Sequence, residues 1–160
     1  PNKDRPFIVD MKDVNVKVLG TTFDVKAYAT DPDIFVTLET GKVVLANKSS
    51  SLAHMKPGEK ATYNRKSGVC KISRPENIEH TSAWKNNQII FNNTPLSEVI
   101  ATLSRWYNVE FTIADSSVLY YNYTLTSTDQ DIKQIFKDLE KITPVQFIEE
   151  EGIIRIERKK

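Results

Sequence analysis

Two stretches of this chain carry the same apolar pattern 36 residues apart, and that repeat restricts the possible folds more than any other feature. In the first, Leu96, Val99, Ile100, Leu103 and Tyr107 recur at helical spacing and fall on one face. In the second, Ile132, Ile135, Phe136 and Leu139 hold the places of Leu96, Val99, Ile100 and Leu103. The match continues downstream, where Val109 and Phe111 correspond to Val145 and Phe147, so each helix leads into a strand after the same spacing. One amphipathic helix of this length buries too little apolar surface to be stable alone. Two β-α-β halves closed over a shared core are therefore predicted.

Local signals set the limits of these elements. Thr94 suits an N-cap, and Pro95 suits the first helical position, where a missing N–H costs nothing. Asn108 tolerates a left-handed conformation and can stop the helix. Val109, Phe111 and Ile113 alternate as the next strand. The second helix is predicted to start at Ser127 or Thr128 and to end before Pro144. Residues 144–157 read as a hairpin turning at Glu151-Gly152.

The first half follows a different period. Val14, Val16 and Val18 alternate, as do Phe23, Val25 and Ala27, which marks half-buried strands. Turn signals separate the runs at Asp31-Pro32-Asp33, Thr40-Gly41-Lys42 and Lys56-Pro57-Gly58-Glu59. "IFVTLETGKVVLA" reads as a hairpin, with Phe35 and Val36 on one arm and Val43 to Leu45 on the other. The polar run from Pro75 to Ser82 reads as a linker. The fold class expected is α+β. An N-terminal all-β domain of short antiparallel strands, residues 1–80, precedes a small β-α-β pseudo-repeat domain, residues 84–160.

Charge and composition exclude several functions. Hydrophobic residues make up 39% and charged residues 27% of the 160, a globular rather than a disordered balance. The 22 basic and 21 acidic residues leave a net charge of +1, so no basic footprint for nucleic acid or an anionic membrane is present. The short runs "YNRK" and "ERKK" do not change that. Cys70 is the single cysteine, so no internal disulfide can form. No apolar run approaches the ~18 residues of a membrane span. His54, Cys70 and His80 share no metal-ligand spacing, and no nucleophile elbow occurs. Cys70 lies in a strand-like alternation with Val69 and Ile72, where a cysteine is a small core residue. Glu149, Glu150 and Glu151 form a run at a hairpin tip, facing water. No cofactor is expected, and an enzyme is the least supported class.

The aromatic residues are the remaining signal. "SSVLYYNYTLTS" places Tyr121 and Tyr123 on one strand face and Tyr120 on the other. One face packs in the core, and the strand is expected to lie at a free edge, where large, rotor-poor side chains suit docking. Trp106 is either a core flank or a partly exposed anchor. The candidate partner-binding residues are Trp106, Tyr121, Tyr123 and Leu125. A glycan-binding module and a piece of a secretin-like envelope assembly are the alternatives.

"VKVLGTTFDVKAY", "VTLETGKVVL" and "LAHMKPGEKATYN" together resemble the second part of the FecR-type anti-sigma regulator domain. Gly20, Thr21, Phe23, Val25, Tyr28, Leu38, Gly41, Val43, Leu52, Pro57, Gly58 and Glu59 occupy the places of that family's pattern. "WKNNQIIFNNTPLSEVIATLSRWYNVEF" and "YTLTSTDQDIKQIFKDLEKITPVQFIEEEGIIRI" resemble the small C-terminal module that follows, similar in layout to the signalling module of secretins and TonB-dependent receptors. The resemblance implies a periplasmic fragment of a parent anchored once in the inner membrane. It lacks the sigma-binding cytoplasmic segment, the membrane helix and the first β-domain strands. It also implies a relay, in which the signalling domain of an outer-membrane TonB-dependent transporter contacts the periplasmic region and an extracytoplasmic-function sigma factor is released.

Overall fold

The computed structural model describes residues 7–47, 49–76, 78–128 and 131–159, with the side chains of residues 79–82 outside the described set. It is mostly β with two α-helices, of the α+β class, and divides into two compact units, Pro1–Ser82 and Ala83–Lys160.

The first unit holds β1 (Phe7–Asp10), β2 (Asn15–Val18), β3 (Thr22–Lys26), β4 (Asp33–Thr40), β5 (Val43–Ala46), β6 (Ser51–Met55), β7 (Lys60–Asn64) and β8 (Cys70–Ser73). They form two antiparallel four-stranded sheets, in the orders β1-β2-β5-β6 and β3-β4-β7-β8. The alternation read in the sequence sorts the two faces. Val16, Val18, Val43 and Leu45 from one sheet meet Ile34, Val36, Leu38, Ala61 and Tyr63 from the other in one buried core.

The hairpin predicted over residues 34–46 is corrected by this arrangement. β4 and β5 lie in different sheets; β4 pairs with β3, and β5 with β2. The four strands are one long hairpin bent at a corner, where both arms pass from sheet to sheet. The two corner turns interlock: the Thr21 hydroxyl donates to the carbonyls of Leu19 and Lys42, each at 3.1 Å. At Gly41, with φ +89°, an added Cβ would sit 2.8 Å from the Gly20 carbonyl oxygen and 2.9 Å from the Thr21 Cα. Only a residue without Cβ lets the two backbones approach this closely. The third crossing, from β6 to β7, joins through the Gly58 N–H to the Leu38 carbonyl and the Leu38 N–H to the Glu59 carbonyl, both at 2.9 Å.

The second unit contains β9 (Ile89–Pro95), α1 (Leu96–Tyr107), β10 (Glu110–Ile113), β11 (Asn122–Ser127), α2 (Ile132–Ile142), β12 (Val145–Glu150) and β13 (Ile153–Arg158). β9 pairs with β11 antiparallel. β13 lies between β10, which it meets in parallel, and β12, which it meets antiparallel. Leu96, Val99 and Leu103 from α1 and Ile135, Phe136 and Leu139 from α2 share one core with residues of β9, β11, β12 and β13. Both helical stripes are thus buried in register. The hairpin turns at Glu151 and Gly152, both at positive φ (53° and 83°), which matches the twist of its strands.

Both helix starts differ from the sequence expectation. Thr94 lies within β9 instead of capping α1, and its hydroxyl accepts the Asn92 N–H at 3.0 Å. Proline disfavours helical geometry in the residue before it, so Thr94 stays extended. Pro95 takes the cap position at φ −65°, ψ 148°, and the free N–H of Leu96 donates to the Tyr121 carbonyl at 3.0 Å. The second helix begins after Asp131, whose carboxylate accepts the Lys133 N–H at 2.9 Å. Ser127 ends β11, buried opposite Ile89. Asn108 stops α1 in the left-handed region (φ 52°, ψ 47°), and α2 ends before Pro144.

The corner makes a stability prediction. Gly41→Ala adds backbone overlap to a strained φ and should lower unfolding free energy by about 2–4 kcal/mol. Gly58→Ala has the strain alone, since a Cβ there meets nothing within 4 Å, and should lower it by about 1 kcal/mol. Urea unfolding of the two variants compares them; a larger loss at Gly58 would refute the interlocked corner.

Candidate docking surface

The alternation of β11 separates the candidate residues by face. Tyr123 is fully buried, while Tyr121 and Leu125 are half-buried and packed on the same core. Asn122, Thr124 and Thr126 point the other way and are exposed. Tyr123 is therefore corrected from a surface residue to a core residue. Its ring fills the space between the strands and α2, and its hydroxyl pairs with the Thr143 hydroxyl at 2.7 Å. That bond satisfies the one polar group the ring carries inside. Burial pushes the phenol pKa upward. Trp106 sits on the last turn of α1, 39% exposed.

The most exposed aromatic lies outside the candidate set. Tyr120 is 87% exposed, beside Leu119 at 37%. Both end a 3-10 turn, Ser116–Tyr120, that is pinned at its start and in its middle. The Asp115 carboxylate accepts the Ser117 N–H at 2.9 Å, and these Ser117 hydrogen bonds hold its pKa below the ordinary carboxylate value. Val118 plugs into the core. The signal was present as Asp-Ser-Ser followed by one anchored valine, a turn that ends Tyr120 in water before the strand begins.

A second feature is a groove of about 320 Å³ between α2 and the hairpin. Phe136 and Phe147 stack at its floor, with centroids 4.7 Å apart, and Phe111 meets Phe136 edge-on at 6.1 Å. Lys133 and Glu149 pair at its rim at 2.9 Å, and Glu140 accepts the Phe147 N–H at 2.8 Å. The acidic hairpin tip is partly neutralised as well, since Glu150 pairs with Arg155 at 3.2 Å.

Among the described residues, no group of three or more His, Cys, Asp or Glu side chains could hold a metal ion. The His80 side chain lies outside the described residues. His54 stands on β6 with its ring nitrogen 3.3 Å from the Ser51 hydroxyl. Cys70 is partly buried against the core of the first unit, and that burial raises its thiol pKa, the opposite of what a nucleophile requires.

The family model described as FecR, C-terminal matches residues 88–156, which lie wholly within the second unit. Two crystal structures of a proposed anti-sigma factor from Parabacteroides distasonis ATCC 8503, at 1.65 and 2.50 Å, are similar over both units. Each has a TM-score of 0.83 and 28% identity; the matches cover 97% and 99% of this chain and 72% and 74% of those chains. No curated protein sequence matches. Residues 88–156 of the second unit are thus similar to the FecR C-terminal family, and the chain is similar over both units to a proposed anti-sigma factor.

The core position of Tyr123 is open to a direct check. Tyr123→Phe removes one satisfied hydroxyl pair and should cost about 1 kcal/mol of stability. Tyr123→Asp places an unpaired carboxylate in the core and should cost more than about 3 kcal/mol, enough to unfold the second unit at moderate temperature. A Tyr123→Asp protein with parental melting behaviour would return the side chain to the surface.

Proposed function

We propose that this chain is the periplasmic part of a FecR-type anti-sigma factor. It receives a signal from the signalling domain of an outer-membrane TonB-dependent transporter and relays it to an extracytoplasmic-function sigma factor. The sigma factor is held by a cytoplasmic segment outside this sequence, and the parent crosses the inner membrane once.

The observation that carries this reading is the coincidence of the family match, residues 88–156, with a compact unit that has its own core. A signal receiver needs a stable module with an accessible docking surface and no chemistry of its own. Exposed Tyr120 and Leu119, the partly exposed Trp106 and the half-buried flanks of β11 give such a module contact area. Among the described residues no helix is long and apolar enough to cross a membrane.

The test is an NMR titration of the isotope-labelled chain with the signalling domain of the TonB-dependent transporter encoded beside its gene. Saturable shifts confined to one surface of residues 83–160 are expected. Spectra unchanged at near-millimolar partner would reject the relay, and an oligosaccharide panel or a self-association assay would then decide between the glycan and envelope-assembly readings.

A further inference from the structure

We infer that the receiving element is the outer edge of β11, to which an extended segment of the transporter's signalling domain adds as a further strand; this rests on the relay reading above. Among the described residues β11 has one strand neighbour, β9, so its other edge carries main-chain groups with no strand opposite.

The identity of those groups follows from the pairing. Asn122 stands opposite Pro95, which has no N–H, so this is a pair that exchanges no ladder bonds. The flanking contact agrees, since the Leu96 N–H donates to the Tyr121 carbonyl at 3.0 Å. Tyr121 and Tyr123 therefore aim their main chain at β9, and Asn122 aims its own outward. β11 is the regular strand of the pair. Between Tyr123 and Leu125 it advances by two residues while β9 advances by three, from Thr94 to Phe91, so the bulge lies in β9. The alternation along β11 then continues, and Asn122, Thr124 and Thr126 present their N–H and C=O groups at the open edge.

The other edges of the second unit are guarded in the ways edge strands ordinarily are. β9 has the bulge, Asn93 at φ 50° and a terminal proline. β10 has four residues and carries Glu110. β12 ends in Glu149 and Glu150, both in ion pairs. β11 has six residues with no charge, no proline and no glycine. Its three outward-facing residues are uncharged, so an added strand meets no charge to desolvate. The edge suits an uncharged extended segment, bound by main-chain hydrogen bonds, with selectivity from side chains that alternate between its two faces.

The test uses the whole chain and the transporter's signalling domain. Residue-resolved amide exchange by NMR should show slowed exchange at Asn122, Thr124 and Thr126 in the complex. Thr126→Pro removes one outward N–H from an exposed edge position that proline tolerates, and should weaken binding at least about tenfold, one lost main-chain bond with its fit. The melting temperature should stay near the parental value. If Thr126→Pro unfolds the unit, the exchange measurement on the parental chain decides alone. Binding with no slowing at the three amides overturns strand addition and leaves the relay intact. No binding overturns both. Slowed exchange at these amides that appears without partner and grows with chain concentration assigns the edge to a second copy and overturns the proposed occupant.

Discussion

Everything in the second unit depends on two helical stripes that can leave water only together. α1 and α2 each present about three turns, with Leu96, Val99 and Leu103 on one and Ile135, Phe136 and Leu139 on the other. Burying side chains of this size is favourable by roughly 1.5–3 kcal/mol each, too little per helix to offset the ordering of its chain. Packed on common strands, the two stripes share one core. The strands take their places as a consequence: β13 is drawn between β10 and β12, and β11 is held against β9 by Tyr123 beneath it. A unit built this way buries its apolar side chains and leaves polar groups at strand edges and turn tips.

The first unit solves a different problem. Three of its connections, β2 to β3, β4 to β5 and β6 to β7, pass from one sheet into the other. The corner requires close backbone contact, which explains why Gly41 faces the Gly20 carbonyl and why the Thr21 hydroxyl bridges to Lys42. The sequence motif around Gly20, Gly41 and Pro57-Gly58 is thus a structural joint, and its residues have no need of a ligand to account for them.

The elements are legible in the sequence where the pattern is periodic, and not where strand partners lie at a distance. The 36-residue repeat placed both helical faces correctly, because the 3.6-residue period is a local property. The helix starts were misplaced because Thr94 and Ser127 are good local caps that tertiary pairing kept in strands. The predicted hairpin at Gly41 failed for the same reason: the turn is real, but its arms pair with β2 and β3. The burial of Tyr123 is not legible in the sequence, because alternation gives two faces without saying which one meets the core. The exposure of Tyr120 is not legible from strand alternation, because it comes from a turn that ends outside the strand.

What the sequence alone determined is the set of local choices: two helices with matched apolar stripes, short alternating strands, the left-handed stop at Asn108 and the turn at Glu151-Gly152. It also carries, in order along the chain, the motifs that resemble the FecR-type family. What only the tertiary structure decided is which strands are neighbours, and from that which edge is left open. Strand pairing is fixed by the joint burial of residues far apart in sequence, and no single segment carries that information. Among the described residues β9 is the one strand beside β11, which leaves the other edge open, and the pairing of Asn122 with Pro95, which cannot donate a hydrogen bond, is consistent with the Asn122 amide pointing outward.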